Sequence, residues 1–468
     1  MSPSDQNILW LHGPAGSGKS TVATTIANTA RDLSRLGAFV FFNRAIAERN
    51  DPASVIRTLA FQLGEFDRRL GAAISNVIEN TPSIRQSPLR QQFYKLIRQP
   101  LSEIAVWSQE GPVIVVIDAL DECGHVGDRE DLLDVLALES VKLPLTLRIV
   151  VVSRTEVDIQ NALGAQENIR STPIDISSAA NDKDIQLYLY DRLQHIRSKN
   201  KYLSLPQNWP GHDTVDALTA RACGLFIWAF TACRYVENGQ DPEERLADLL
   251  RTDICLNAES AMDIMYSTAL ESAGKWEDPA FAADFRDILG IVIVARNPLT
   301  ALTIDCLKEA TPVSRTRPSL HTIQYFGCIF RGVTHGEPLR VIHPSFEDFI
   351  TDRARCKDEW FIDVFLYRQR LARQCIGCLR ANLKRNMCKL TLTKGAVDVI
   401  LPEDVTYSCL FWIEHVCESD GSVEWLSTEL YEFLVKHLLH WIEAMSLLKK
   451  ARQTVGLLMR LEDWSKVS

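Results

Sequence analysis

Over the first 175 or so positions the apolar residues fall in short unbroken runs, at 8–11, 38–42, 113–117 and 147–152. A strand covered on both faces by helices has no polar face, so it reads as a continuous run and not as an alternation. Between these runs the apolar residues recur at helical spacing, as in 52–63 and 87–107. Strands alternating with helices predict an α/β fold, a doubly wound parallel sheet, with a short fifth strand at 172–176 closing it. From residue 180 the period turns wholly helical, at 182–198, 213–238 and 242–251. Asn181-Asp182 reads as the cap of the first of these helices, and a polar, Pro-containing stretch at 205–211 separates the first two. This segment is expected to be a small helical lid domain. Next come helices at 259–272, 279–295, 302–309 and 319–326, then strand-like runs at 329–333 and 339–342 joined by a Gly-containing turn at 334–338. Helices followed by a hairpin are the pattern of a winged helix. The remainder is helical again, most clearly at 361–386 and 429–448. The expected division is 1–178, 179–257, 258–355 and 356–468.

Bulk properties narrow the classes. A chain of 468 residues exceeds what one core supports. The most apolar segment, 288–295, is far shorter than the ~18 residues of a membrane span, so no membrane association is expected. A net charge of −9 argues against a nucleic-acid surface, and the winged helix is read as a structural or switching element. The 12 cysteines stand at no framework spacing and no signal peptide precedes them, as expected of reduced thiols in a cytoplasmic protein. Cys375 and Cys378 have Cys-x-x-Cys spacing but no second pair, and are read as packing within a helix.

The chemistry starts where the first apolar run meets Gly13-Pro14-Ala15-Gly16-Ser17-Gly18-Lys19-Ser20-Thr21. Three glycines let the backbone turn tightly and aim N–H groups at phosphate oxygens, and the helix that follows adds its positive end. Lys19 is expected to reach the β- and γ-phosphates and the Ser20 hydroxyl to ligate Mg2+. This is a P-loop, with the strand before it and the helix after it that the motif requires. The run 113–117 then ends in Asp118-Ala119-Leu120-Asp121-Glu122. Asp118 is placed to hold the magnesium opposite Ser20, while Asp121 or Glu122 would orient or deprotonate an attacking water. The run 147–152 delivers Ser153-Arg154 to the same edge, where a guanidinium can sense γ-phosphate charge.

The combination Gly-Pro-Ala-Gly-Ser-Gly-Lys-Ser-Thr, Asp-Ala-Leu-Asp-Glu-Cys and Val-Val-Ser-Arg resembles the NACHT domain of fungal STAND-type signalling NTPases. The small Ala119 directly after Asp118, followed by Asp121-Glu122, is the distinguishing feature. Ala222-Cys-Gly-Leu-Phe-Ile-Trp-Ala229 is similar to the helical domain of these proteins, and Ile342-His343-Pro-Ser-Phe-Glu-Asp-Phe-Ile350 to their winged helix. The resemblance implies a switch that binds ATP or ADP with Mg2+, hydrolyses slowly and oligomerises when activated. It also implies that His343 reaches the β-phosphate of ADP and holds the closed state. Relatives often carry Gly-x-Pro, whose proline packs on the adenine; here the sequence is Gly224-Leu225-Phe226, and Phe226 is the residue expected to stack instead. Only residues 1–7 precede the first strand, so effector and sensor functions are expected on separate domains or proteins. The competing readings are a P-loop enzyme with metabolic turnover, which lacks a substrate-domain signature, and a degenerate scaffold, which the intact Lys19, Ser20 and Asp118 oppose.

Overall fold

Five parallel strands form: β1 (Ile8–His12), β2 (Leu36–Phe41), β3 (Val113–Asp118), β4 (Leu147–Ser153) and β5 (Ile169–Pro173), side by side in the order β2-β3-β4-β1-β5. The computed structural model describes residues 6–104, 111–124, 126–200, 205–255, 257–309, 317–334, 336–387, 401–419 and 424–467. Successive strand residues point to opposite faces, and both faces are buried. Leu11, Val116, Val150 and Val152 pack with Ala23 and Ala27 of the helix Lys19–Asp32. Ile8, Trp10, Val115, Ile117, Ile149 and Val151 belong to the core on the other side. That is why these strands read as unbroken apolar runs.

Three strands run one residue beyond their apolar runs, to His12, Asp118 and Ser153. The fifth departs from expectation: it spans Ile169–Pro173, not 172–176. It is one of the two edge strands, and only its Ile169 is fully buried, so no apolar run marks it. The helix expected at 52–63 extends over Pro52–Phe66, and the Asp51 side chain caps it by accepting from Ala53 N–H at 2.9 Å. The helix expected at 87–107 is built as Leu89–Phe93, a π turn Tyr94–Arg98 and Gln99–Glu103. The wide turn sits just before Pro100, which lacks an N–H and would crowd the carbonyl four residues back. Residues 105–107 of that expectation lie outside the described residues.

The chain divides into two units, residues 1–233 with 253–261 and residues 234–252 with 262–468. In the first, the helix expected at 182–198 spans Ala179–Lys199 and is capped by Ser178, not by Asn181-Asp182. Asn181 instead donates to the carbonyls of Ile176 and Gly224, at 3.0 and 2.9 Å. The single helix expected at 213–238 is two, His212–Ala222 and Phe226–Glu237. The break is at Cys223 and Gly224, both left-handed, with φ +45° and +74°. A Cβ on Gly224 would lie 2.0 Å from the Ile176 carbonyl oxygen, so only glycine fits this approach.

In the second unit the helices Pro242–Arg251, Pro279–Val294, Ala301–Glu309 and Ser319–Ile323 precede a short antiparallel pair, Phe330–Arg331 with Arg340–Val341. Helices Val364–Asn382, Glu403–Glu418, Glu424–Leu447 and Thr454–Val467 follow. The first of these starts three residues later than expected because Asp363 caps it, accepting from Leu366 N–H at 3.1 Å. Cys375 and Cys378 are buried along it, and Cys378 Sγ donates to Asp404 at 3.4 Å. Aromatic contacts fill the core, Trp276 against Phe281, Phe285 and Trp360, and Trp412 against Phe433 and Trp441. No helix among the described residues is long and apolar enough to cross a membrane.

Candidate nucleotide-binding site

The carboxyl ends of β1, β3 and β4 bring together Lys19, Ser20, Asp118, Asp121, Glu122 and Arg154. In open α/β sheets this edge is where ligands sit. From β1 the chain turns through Gly16 and Gly18, with φ of +77° and +85°, into the helix Lys19–Asp32. Ser17 N–H donates to Pro14 O at 3.4 Å, and the N–H groups of Thr21 and Val22 donate to Gly18 O at 3.0 and 3.1 Å. Gly13 is tight as well, since a Cβ there would meet Ser17 Oγ at 3.3 Å. Ala15, beside it, is half-buried.

Lys19 Nζ donates to the carbonyls of Gly13 and Pro14, at 2.9 and 2.7 Å. Burial brings its pKa down to about 8; Asp121, Asp118 and Glu122 counter this, and Arg154 adds to it. The ammonium therefore lies within electrostatic reach of every charged group that the sequence assigns to this edge. His12, at the end of β1, stacks on Trp10 at 4.3 Å and faces Thr155 Oγ1 and Ser171 Oγ at 3.1 and 3.0 Å. Burial, then the charge of Lys19, holds its pKa below the usual imidazole range.

Asp118 is 1% exposed. Burial pushes its pKa up, while hydrogen bonding from the Ser20 hydroxyl and the Ala119 N–H (2.8 Å) pulls it back. Its Oδ2 is buried with no hydrogen-bond partner among the described residues. An orphaned carboxylate oxygen beside a serine hydroxyl fits a hard divalent cation such as Mg2+, which takes oxygen ligands. Ala119 has φ +56°, a left-handed turn where a larger or branched side chain is disfavoured. This left-handed turn, which a β-branched residue would strain most, swings Asp121 and Glu122 round.

Those two carboxylates are in different situations. Asp121 accepts from the Arg154 N–H at 2.9 Å through Oδ1, and its Oδ2 pairs with Arg154 Nε at 3.2 Å. Glu122 accepts from the Arg44 N–H at 3.3 Å. Its pKa is pushed up to about 7, first by burial, against which the Arg44 charge works, and with a further upward push from Asp121.

Phe226 and Ile227 also reach the P-loop. Ile227 N–H donates to Gly16 O at 3.2 Å, and a Cβ on Gly16 would lie 1.8 Å from Ile227 Cγ2. The Phe226 ring lies beside Gly18 and meets Tyr188 edge-on at 6.2 Å. His343 belongs to the second unit, where it caps the helix Pro344–Ile350: its Nδ1 accepts from Ser345 N–H at 3.2 Å and faces Ser345 Oγ at 2.8 Å.

Sequence reasoning missed Arg44 and Arg129. Arg129 is 3% exposed, donates to the Asp121 carbonyl at 2.8 Å and pairs with Asp158. One signal existed: Arg129 stands three and four positions before the buried Leu132 and Leu133, an arginine in the apolar phase of its helix.

With this geometry in view, two comparisons bear on the chain. Residues 1–154 match the family described as Nephrocystin 3, N-terminal. The chain is also 23% identical to the vegetative incompatibility protein HET-E-1 of Podospora anserina over 495 aligned positions, covering 98% of this chain. It spans 34%, about a third, of that relative's length. The family match contains the P-loop and the Asp118–Glu122 turn, the similarity to HET-E-1 carries on through both units, and together the two matches support a NACHT-type protein.

Proposed function

We propose that the chain is a nucleotide-dependent signalling switch of the STAND type, working by ATP and ADP in the cytoplasm. Its P-loop, residues 13–21, would cradle the phosphates, with Lys19 on the β- and γ-phosphates. Ser20 and Asp118 would hold Mg2+, which when bound neutralises phosphate charge. Asp118 Oδ2, buried and orphaned, is the observation that carries this part. Between the two candidate carboxylates, the Arg154 contacts occupy both oxygens of Asp121. That favours Asp121 as the holder of Arg154 and Glu122 as the base for water. A pKa of about 7 leaves Glu122 able to take a proton near neutral pH. Arg154 would sense the γ-phosphate.

The helices after the sheet are read as a lid, and the helices with the hairpin of the second unit as a winged helix carrying His343 to the β-phosphate of ADP. The hydrogen bond from Ile227 to Gly16 supports a lid that responds to the P-loop. ATP in place of ADP would release the closed form and permit homo-oligomerisation, because a ligand moves a conformational equilibrium only through different affinities for its two states. By its similarity to HET-E-1, we assign the output to incompatibility or self/non-self signalling through separate effector or sensor domains or proteins.

The test is to denature the purified protein, identify the released nucleotide, and measure particle mass with ADP and with a non-hydrolysable ATP analogue. ADP in the released fraction, and a larger particle only with the analogue, is the expected outcome. An empty protein that takes up neither nucleotide contradicts the reading.

A further inference from the structure

Resting on that reading, we propose that Arg129 is a positioning residue for the hydrolytic edge: it anchors the main chain of Asp121 so that the Asp121 carboxylate can hold Arg154 in place. Arg129 rises from the helix Val126–Asp134 and its guanidinium is buried. Two arms grip Asp158, Nε to Oδ2 at 2.5 Å and Nη2 to Oδ1 at 3.0 Å. The third, Nη1, donates to the Asp121 carbonyl at 2.8 Å. Glu156 adds a longer contact, at 3.7 Å from Nη2. Asp158 lies in the first turn of the helix Val157–Leu163, which follows Arg154 by only a few residues. Burial alone would raise its pKa; the hydrogen bonds and charge of Arg129 hold it below the usual range.

One guanidinium therefore ties two turns together, the one after β3 and the one after β4. Asp121 completes the circuit through its carboxylate, which takes both the N–H and Nε of Arg154. Strand pairing does not join the two turns to each other, because the β3–β4 pairing ends at Ile117 with Val151. A planar fork suits the task and a lysine does not, since an ammonium cannot span a carboxylate and a carbonyl at fixed angles. Small misplacement of a charged group at such a site lowers rates far more than it lowers binding.

The experiment compares the whole chain with Arg129→Lys and Asp158→Asn, measuring Mg-ATP hydrolysis in single turnover and ADP affinity separately. Each variant should hydrolyse roughly ten- to a hundredfold more slowly per bound nucleotide while ADP affinity changes by less than about threefold. A merely structural role moves thermal stability and the folded fraction but not the rate per bound nucleotide. Unchanged rates in folded variants overturn the inference. So do equal losses of rate and affinity, and so does failure of both variants to fold, which would make the pair part of the core. If the unsubstituted chain binds no nucleotide, the switch reading itself fails; if it binds and never hydrolyses, only the positioning role does.

Discussion

Burial acts on ionisable groups in both units, with opposite results. In the second unit it drives them out of play. His415 is fully buried, bonded to Tyr407 OH at 2.8 Å, and its pKa is pushed down to about 3 by burial and by Arg296 and Arg368. Cys378 and Cys409 are pushed up to about 12, chiefly by burial. Such groups stay neutral at any physiological pH and serve as packing. At the sheet edge of the first unit the same desolvation meets charges of both signs, and Lys19 and Glu122 settle at about 8 and about 7. Desolvation without counter-charges makes inert interior; desolvation inside a charge cluster makes groups that can exchange protons near neutrality.

The sharpest way to break this contrast is Glu122→Gln. Hydrolysis should fall by on the order of 10²–10⁴, with nucleotide affinity retained, as measured in single turnover. In the parent, hydrolysis should decline as pH drops below about 7, where Glu122 gains its proton. The sign for stability is opposite. A carboxyl raised from 4.5 to about 7 favours the fold most below pH 4.5 and loses that contribution, about 3 kcal/mol, as pH rises through 7. Chemical denaturation at several pH values should show that decline, and the glutamine variant should flatten it.

A mutation in the inert interior should do the reverse. Trp412 is wholly buried against Phe433 and Trp441, so Trp412→Ala should cost roughly 3–5 kcal/mol in denaturant melts and leave nucleotide affinity per folded molecule unchanged. Next in size is Asp118→Asn, expected to lower Mg2+-dependent nucleotide affinity by on the order of a hundredfold; chelating the metal should mimic it in the parent, as read by calorimetry. The smallest effect is assigned to Cys378→Ala, about 1–2 kcal/mol of stability, insensitive to zinc and to chelators.

What the sequence made legible is what is encoded in consecutive residues. The P-loop, Asp118-Ala119 and Asp121-Glu122 are local, and the left-handed backbone that the P-loop needs at Gly16 and Gly18 is written in the glycines themselves. Arg154 was legible because a strand with six of its seven residues buried delivers it. What stayed hidden depends on partners distant in the chain. Nothing near Cys223-Gly224 announces the Ile176 carbonyl that forces the helix to break there. The edge strand Ile169–Pro173 carries polar residues because all of it but Ile169 is exposed or only half-buried. Arg129 and Arg44 act through Asp158, Asp121 and Glu122, pairings that no short motif records.

Lys19 is the group on which the account depends most, because it is half-buried and bonded to its own loop in readiness for phosphate. The decisive measurement is direct titration of the full chain and of Lys19→Ala with ATP and ADP in the presence of Mg2+. Saturable binding by the parent and a loss of on the order of a hundredfold or more in the variant are predicted. Equal affinity in the two proteins would contradict the account.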